Sequence, residues 1–227
     1  MKEKKILWTG GQDSTFRVMQ LCNQGVKIQP IYVLDTDRRS TNNEIKAINI
    51  IKKELSIKFP DSLIQETIFI DINDINVTSK TNNYYKKLKT EKHLGLQYAW
   101  LCELADKYPQ IELCVHKDDK ATFFISKKES DKNYKEAQYI FQNFSFPLLD
   151  YTKLQMKKEA EILGCQEILE LSWFCHDPIK NKPCGICNPC KYTFEEGMGC
   201  RFTFKSKLYH YCRWFFIPLR KVLNFLT

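Results

Sequence analysis

Short apolar runs alternate along this chain with stretches whose apolar residues recur at helical spacing. Lys5–Trp8 reads as a first strand, and a helix is predicted from Ser14 to about Asn23, with Gly25 as its stop. Residues 28–34 (Ile-Gln-Pro-Ile-Tyr-Val-Leu) predict a second, buried strand, followed by a polar loop at Asp35–Arg39. From Asn43 to Ile57, the positions Ile45, Ile48, Ile51 and Leu55 predict a helix. Leu63–Ile70 reads as a third strand, Leu94–Leu104 as a helix and Ile111–Val115 as a fourth strand. Phe146–Leu149 is short and apolar, and Thr152-Lys-Leu-Gln155 is a capping-box pattern that opens a helix ending near Gly164. Residues 71–92, rich in Asn, Thr and Lys, predict a flexible loop or lid, and Lys127–Lys135 a second charged loop.

Strands alternating with helices predict an α/β fold with a mainly parallel sheet. Ligands of such sheets bind beyond the C-terminal ends of the strands. Two polar segments fall at such ends: Asp35–Arg39 and Thr9–Thr15. The second is the more informative. Two adjacent glycines between a strand and a helix let backbone N–H groups approach an anion, and the helix N-terminus adds partial positive charge. Ser14 or Thr15 is expected to cap that helix. Asp13, beside a phosphate, would either hold Mg²⁺ or cap the helix.

The chain has 227 residues, 43% of them hydrophobic, which suits one large domain, or one domain with an appendage. No apolar run approaches the roughly 18–20 residues that span a bilayer. The basic N-terminus leads into an apolar stretch that stops at once in Gly-Gly-Gln-Asp, which argues against a signal peptide. A cytoplasmic location is the expectation. Net charge is +8, but residues 201–227 alone hold six cations (Arg201, Lys205, Lys207, Arg213, Arg220, Lys221) and no acid, leaving +2 for the body. Charge confined in this way argues against a nucleic-acid-binding face.

Eight of the ten cysteines divide into two kinds. Cys22, Cys102, Cys114 and Cys165 stand singly in apolar surroundings and read as small buried hydrophobes. Cys175, Cys184, Cys187 and Cys190 form a C-x8-C-x2-C-x2-C pattern that suits tetrahedral zinc in a structural site with no open position. The alternatives are an iron–sulfur cluster, a redox or disulfide role, or His176 in place of one thiol.

The loop Thr9-Gly-Gly-Gln-Asp-Ser-Thr15 resembles the Ser-Gly-Gly-x-Asp-Ser signature of the PP-loop ATP pyrophosphatases, with Thr9 at the first Ser position. Together with the cysteine spacing, it is similar to the 7-cyano-7-deazaguanine synthase family from about Lys5 to Gly197. The resemblance implies a Rossmann-like, adenine-nucleotide-α-hydrolase-like sheet with a C-terminal zinc-binding segment. It divides the chain into an ATP-binding body (1–170), a zinc segment (171–200) and a basic aromatic tail (201–227). It implies ATP bound at Trp8, Thr9, Gly10, Gly11, Gln12, Asp13, Ser14 and Thr15, with Asp13 and Ser14 catalytic, Mg²⁺ present and zinc on the four cysteines. The implied reaction adenylates 7-carboxy-7-deazaguanine, adds ammonia and drives dehydration with a second ATP.

Three segments depart from the family pattern. Lys92–Tyr98 lacks the family's Pro and Arg-Asn, His116–Lys120 stands for its Asp-bearing segment, and Lys191–Glu196 replaces its arginines. The acceptor therefore stays open between the deazaguanine and another carboxylate. Two competing readings are a PP-loop tRNA-thiolation enzyme and a non-catalytic nucleotide- or partner-binding protein. The tail is read as a terminal helix covering the core or a homodimer contact, or else as an element that meets an anionic membrane or a protein partner.

Overall fold

In the computed structural model, residues 3–214 are described. The chain runs through β1 (Glu3–Leu7), α1 (Gln12–Asn23), β2 (Lys27–Leu34), α2 (Thr41–Lys58), β3 (Leu63–Ile64) and β4 (Ile68–Asp71). It continues through α3 (Ser79–Glu91), α4 (Gln97–Lys107), β5 (Ile111–Glu112), α5 (Thr122–Ile125), α6 (Tyr134–Phe141) and β6 (Phe144–Ser145). Helices α7 (Lys153–Ile162), α8 (Gln166–Glu170), α9 (Asn188–Glu195) and α10 (Phe204–Tyr211) complete it.

All strand pairings in the sheet are parallel, in the order β3/β4–β2–β1–β5–β6. Alternate residues of the central strands feed opposite faces. Leu7 and Ile31 join a core under α3, α4 and α6, whereas Ile6, Ile28 and Tyr32 join a second core under α1, α2, α7 and α8. Helices on both faces of a parallel sheet are the predicted architecture.

The third strand is split in two on the edge of β2, and Pro30 explains the gap. Ile28 O accepts from Gln65 N–H on that edge, so Pro30, two residues on, presents to it a backbone with no donor. The Gln29 side-chain amide instead reaches Glu66 O at 2.8 Å. The fourth strand is cut short because Val115 N–H turns back to Leu113 O, which takes the chain out of the ladder.

Residues 71–92 are not a loop or lid. They form a 3-10 turn and the thirteen-residue helix α3, N-capped by Thr78, whose Oγ1 accepts from Thr81 N–H. Thr81, Tyr85 and Leu88 are buried at helical spacing, while the Asn and Lys residues face water. The polar composition reflects a helix with a narrow buried stripe. The capping box at Thr152 and Gln155 is present as expected.

If α3 is part of the core, Leu88→Ala should lower unfolding stability by about 3 kcal/mol in a denaturant titration, the usual cost of truncating a fully buried leucine. A loss under about 0.5 kcal/mol, the range of a surface change, would detach this helix from the core.

Candidate active site and four-cysteine unit

The turn after β1 is built by close packing. Trp8 is fully buried and its indole N–H donates to Thr15 Oγ1 at 3.1 Å. Both side chains therefore lie inside the second core and brace the loop from behind rather than line the cleft. Gly10 has φ +69°, and a Cβ there would meet Glu44 O at 2.9 Å, so the chain can cross α2 only at a glycine. Gly11, in extended conformation, is the N-cap of α1 and supplies no side-chain cap. This corrects the expected cap. Ser14 and Thr15 lie within the helix, where Ser14 Oγ donates to Gly11 O and Thr15 N–H bonds to the same carbonyl. Helix α1 thus starts with first-turn N–H groups that no side chain satisfies.

That uncapped end borders a cleft of about 1260 Å³. Thr9, Gly11, Gln12 and Asp13 form part of one wall. Asp13 Oδ1 is buried and has no hydrogen-bond partner among the described residues. Burial raises the Asp13 carboxyl above the usual carboxylate range, while His116 and then Lys153 pull it back. Asp13 makes no capping bond, so its unpaired oxygen in an acidic group suits a cation such as Mg²⁺.

The opposite walls come from segments that sequence reasoning had placed apart. His93, Gly95, Gln97 and Tyr98 line the cleft from the entry to α4. His116, Asp118, Asp119 and Lys120 line it from the loop after β5, where His116 Nδ1 accepts from Asp118 N–H and Asp119 Oδ1 from Ala121 N–H. Arg38 reaches it from the loop after β2 and Glu44 from the first turn of α2; Glu44 is held by Tyr32, Ser40 and Arg38 at 2.7–2.9 Å.

The last wall is the four-cysteine unit. The sulfurs of Cys175, Cys184, Cys187 and Cys190 all lie within 4.8 Å of one another, with Cys184–Cys190 at 3.8 Å and Cys175–Cys187 at 3.9 Å. Tetrahedral Zn–S bonds of about 2.3 Å require sulfurs roughly 3.8 Å apart. Backbone N–H groups support the sulfurs: Cys184 N donates to Cys175 Sγ, and Ile186 N and Cys187 N donate to Cys184 Sγ. Cys187 is the N-cap of α9, and its hydrogen bond with Cys175 lowers its thiol to about 7. Gly185, at φ +77°, lies so close to Ser206 that any Cβ would strike its backbone oxygen. His176 is not among the four sulfur-clustered residues and lies on the cleft.

Trp173 joins the two halves of the site. Its backbone N–H donates to Gly10 O at 2.7 Å, and its indole N–H to Cys175 O at 2.7 Å. Through it the phosphate-type loop and the cysteine unit become adjoining walls of one cleft, to which Cys187, Asn188 and Tyr192 also contribute.

The family described as Queuosine biosynthesis protein QueC matches residues 5–196. The chain belongs to the QueC family. No curated protein matches it by sequence. Solved structures similar to it include a predicted subunit of a tRNA methyltransferase from Methanocaldococcus jannaschii, at 16% identity and TM-score 0.41, covering 71% of this chain and 74% of that one. Another is a 4-thiouridine synthetase in complex with RNA and ATP, at 13% identity and TM-score 0.41, covering 74% of this chain; the match spans 42% of that protein.

The QueC match ends before Arg201 and Arg213, yet both line the cleft. Arg201 is carried over Phe174 at 4.6 Å and donates to Ser172 O. Sequence reading missed them as site residues because no local pattern announces their placing: Arg201 is held by Ser172 and Phe174, and Arg213 follows α10, which docks against Gly185. Arg38 lies in the polar segment Asp35–Arg39 that the sequence places at a strand end, whereas Lys153, at the start of α7, was missed because only the sheet order brings that element to this end.

Protein prepared with metal available should contain one zinc and no iron per chain by plasma mass spectrometry, and Cys187→Ser should lose more than half of it. Full zinc content in that variant would contradict the four-sulfur assignment.

Proposed function

We propose that this protein uses ATP to adenylate a carboxylate and then installs nitrogen on it, with 7-carboxy-7-deazaguanine and ammonia as the substrates. A divergent acceptor is another carboxylate of similar size. The observation that carries this reading is the uncapped glycine turn of α1 opening on a cleft that the cysteine unit helps to wall, in a chain of the QueC family. We assign residues 1–170 to the ATP-binding body, 171–200 to the zinc segment and 201–227 to the tail. The two cores of the body and the separate small core around Cys175, Cys184 and Cys190 support the boundary near 170, while Phe202 and Tyr209 join the small core, so the start of the tail packs on the zinc segment.

In this scheme the backbone of Thr9, Gly10, Gly11 and Gln12 and the first turn of α1 hold the ATP phosphates, as helix N-termini hold anions. Trp8 and Thr15 keep the turn in shape, and Ser14 fixes it through Gly11 O. Asp13 is the residue suited to hold Mg²⁺, which would offset charge on the departing pyrophosphate. A carboxylate oxygen of the acceptor attacks the α-phosphorus and pyrophosphate leaves. Ammonia then attacks the acyl carbon, the C–O bond breaks, AMP departs with its electron pair, and a proton leaves the nitrogen. A second ATP adenylates the amide oxygen, and loss of AMP and the remaining N–H protons leaves the nitrile. No covalent enzyme intermediate is needed; positioning and charge neutralisation provide the rate. Zinc on the four cysteines is structural, since four thiolates leave no coordination position open. The ten cysteines form no disulfide, which suits a reducing, cytoplasmic setting. Among the described residues no helix is long and apolar enough to cross a membrane.

With Mg-ATP, ammonia and 7-carboxy-7-deazaguanine, the purified protein should release AMP and pyrophosphate. Asp13→Asn and Ser14→Ala should each reduce turnover by about a hundredfold or more with zinc content and far-UV circular dichroism unchanged. ATP binding without AMP release across a panel of carboxylates would overturn the assignment.

A further inference from the structure

Carboxylates lining the cleft outnumber its lysines and arginines, six to five among the described residues. A cleft of that balance takes a polyanion through cations that are not already neutralised. Two of the five are neutralised: Arg38 is paired with Glu44 and Lys153 with Glu196, each at 2.9 Å. Lys120 is exposed, and no bond among the described residues orients Arg213.

Arg201 differs from these four. It ends the 3-10 turn Gly199–Arg201, and the next residue, Phe202, is buried against Phe174 and Phe194, with ring centroids at 5.3 and 5.2 Å. Its backbone is thereby anchored in the small core around the cysteines. The guanidinium lies 4.6 Å from the centre of the Phe174 ring and donates to Ser172 O. Burial lowers its pKa, and Glu170, Cys200 and Glu196 offset that only in part, acting through space without a hydrogen bond. An arginine stays protonated even so, and among the described residues most of its five N–H donors are unspent. A half-buried cation of this kind is costly until an anion meets it.

Its position relative to the glycine turn is set by one peptide group. Ser172 O accepts from Arg201, while Trp173 N–H, on the opposite edge of the same peptide, donates to Gly10 O. The guanidinium and the turn therefore flank that peptide, and both segments line the cleft.

We infer that Arg201 binds the terminal phosphates of the nucleotide whose phosphate chain lies on the turn and the start of α1. A planar fork of N–H donors matches phosphate oxygens, and such charge-assisted bonds are the strong ones. The place of Arg201 beside the turn, rather than on the walls from α4 and the loop after β5, favours the phosphates over the acceptor carboxylate. The QueC match ends at residue 196, so Arg201 lies outside the region shared with the family. This role, which rests on the reading of the cleft as an ATP site, is independent of which carboxylate is adenylated.

The test is calorimetric binding of Mg-ATP, pyrophosphate and adenosine to the full zinc-loaded chain and to Arg201→Gln, which removes the charge. ATP and pyrophosphate should each bind about tenfold or more weakly to the variant, with adenosine unchanged. Arg201→Lys, which keeps the charge without the fork, should recover part of the loss. Zinc content and melting curve should be unchanged in both variants, because Phe202 anchors this segment. Equal binding of ATP and pyrophosphate by the wild-type chain and Arg201→Gln would overturn the inference and leave the ATP reading standing. So would unchanged ATP affinity with a raised KM for the acceptor in turnover, which would assign the guanidinium to the carboxylate. Equal weakening of adenosine and ATP would also overturn it, by making Arg201 a structural prop. No ATP binding by the wild-type chain would overturn both readings.

Discussion

The bond between Trp173 N–H and Gly10 O is the contact on which the site depends. It is one backbone hydrogen bond, contributing about 1 kcal/mol net. Its importance is geometric. It pins the chain that carries the first cysteine of the cluster against the turn that would hold phosphate, at a residue where α2 leaves no room for a side chain. The Trp173 indole then bonds to Cys175 O, so one residue holds both walls. A metal held on the four sulfurs would make the unit beyond Cys175 a rigid platform. Helix α9 starts from it at Cys187, and α10 packs on it at Gly185.

Buried polar groups behind the loop are matched closely, which fixes the elements that meet there. Glu44 accepts from Tyr32, Ser40 and Arg38, so its buried carboxylate is fully paired and the start of α2 is tied to β2. Glu112, fully buried on β5, takes both arms of Arg17 from α1 and a third contact from Lys4. Removing either partner of such a pair leaves a buried charge uncompensated. The helix whose N-terminus borders the cleft is thereby tied to the strand whose following loop supplies His116 and Asp119. Asp13 is the contrast: like the Ser62 and Ser172 hydroxyls, it has a buried oxygen without a partner among the described residues, but it is a carboxylate and it faces the cleft.

Much of this was legible in the sequence. Strand–turn–helix around Gly10 and Gly11, the helix of residues 41–58, the capping box at Thr152 and the grouping of four cysteines each rest on local pattern, and each is present. The failures have separate physical causes. Helix α3 hides behind a polar composition because only Thr81, Tyr85 and Leu88 are buried. The break between β3 and β4 follows from a proline on the neighbouring strand, and the short β5 from a turn that only its own hydrogen bonds reveal. The cleft residues beyond the loop were legible as polar segments at strand ends but not as a set, because sheet order and the docking of α10 decide which of them meet. The part of the tail from residue 215 lies outside the described residues.

The central claim is that the cysteine unit is a working wall of the nucleotide cleft rather than a distant staple. Calorimetric titration of ATP into zinc-loaded protein and into protein stripped by chelator tests it directly, because the body keeps two hydrophobic cores of its own. The account predicts that stripping weakens ATP binding by roughly tenfold or more while far-UV circular dichroism shows the α/β body intact. Equal ATP affinity in stripped, folded protein would contradict it.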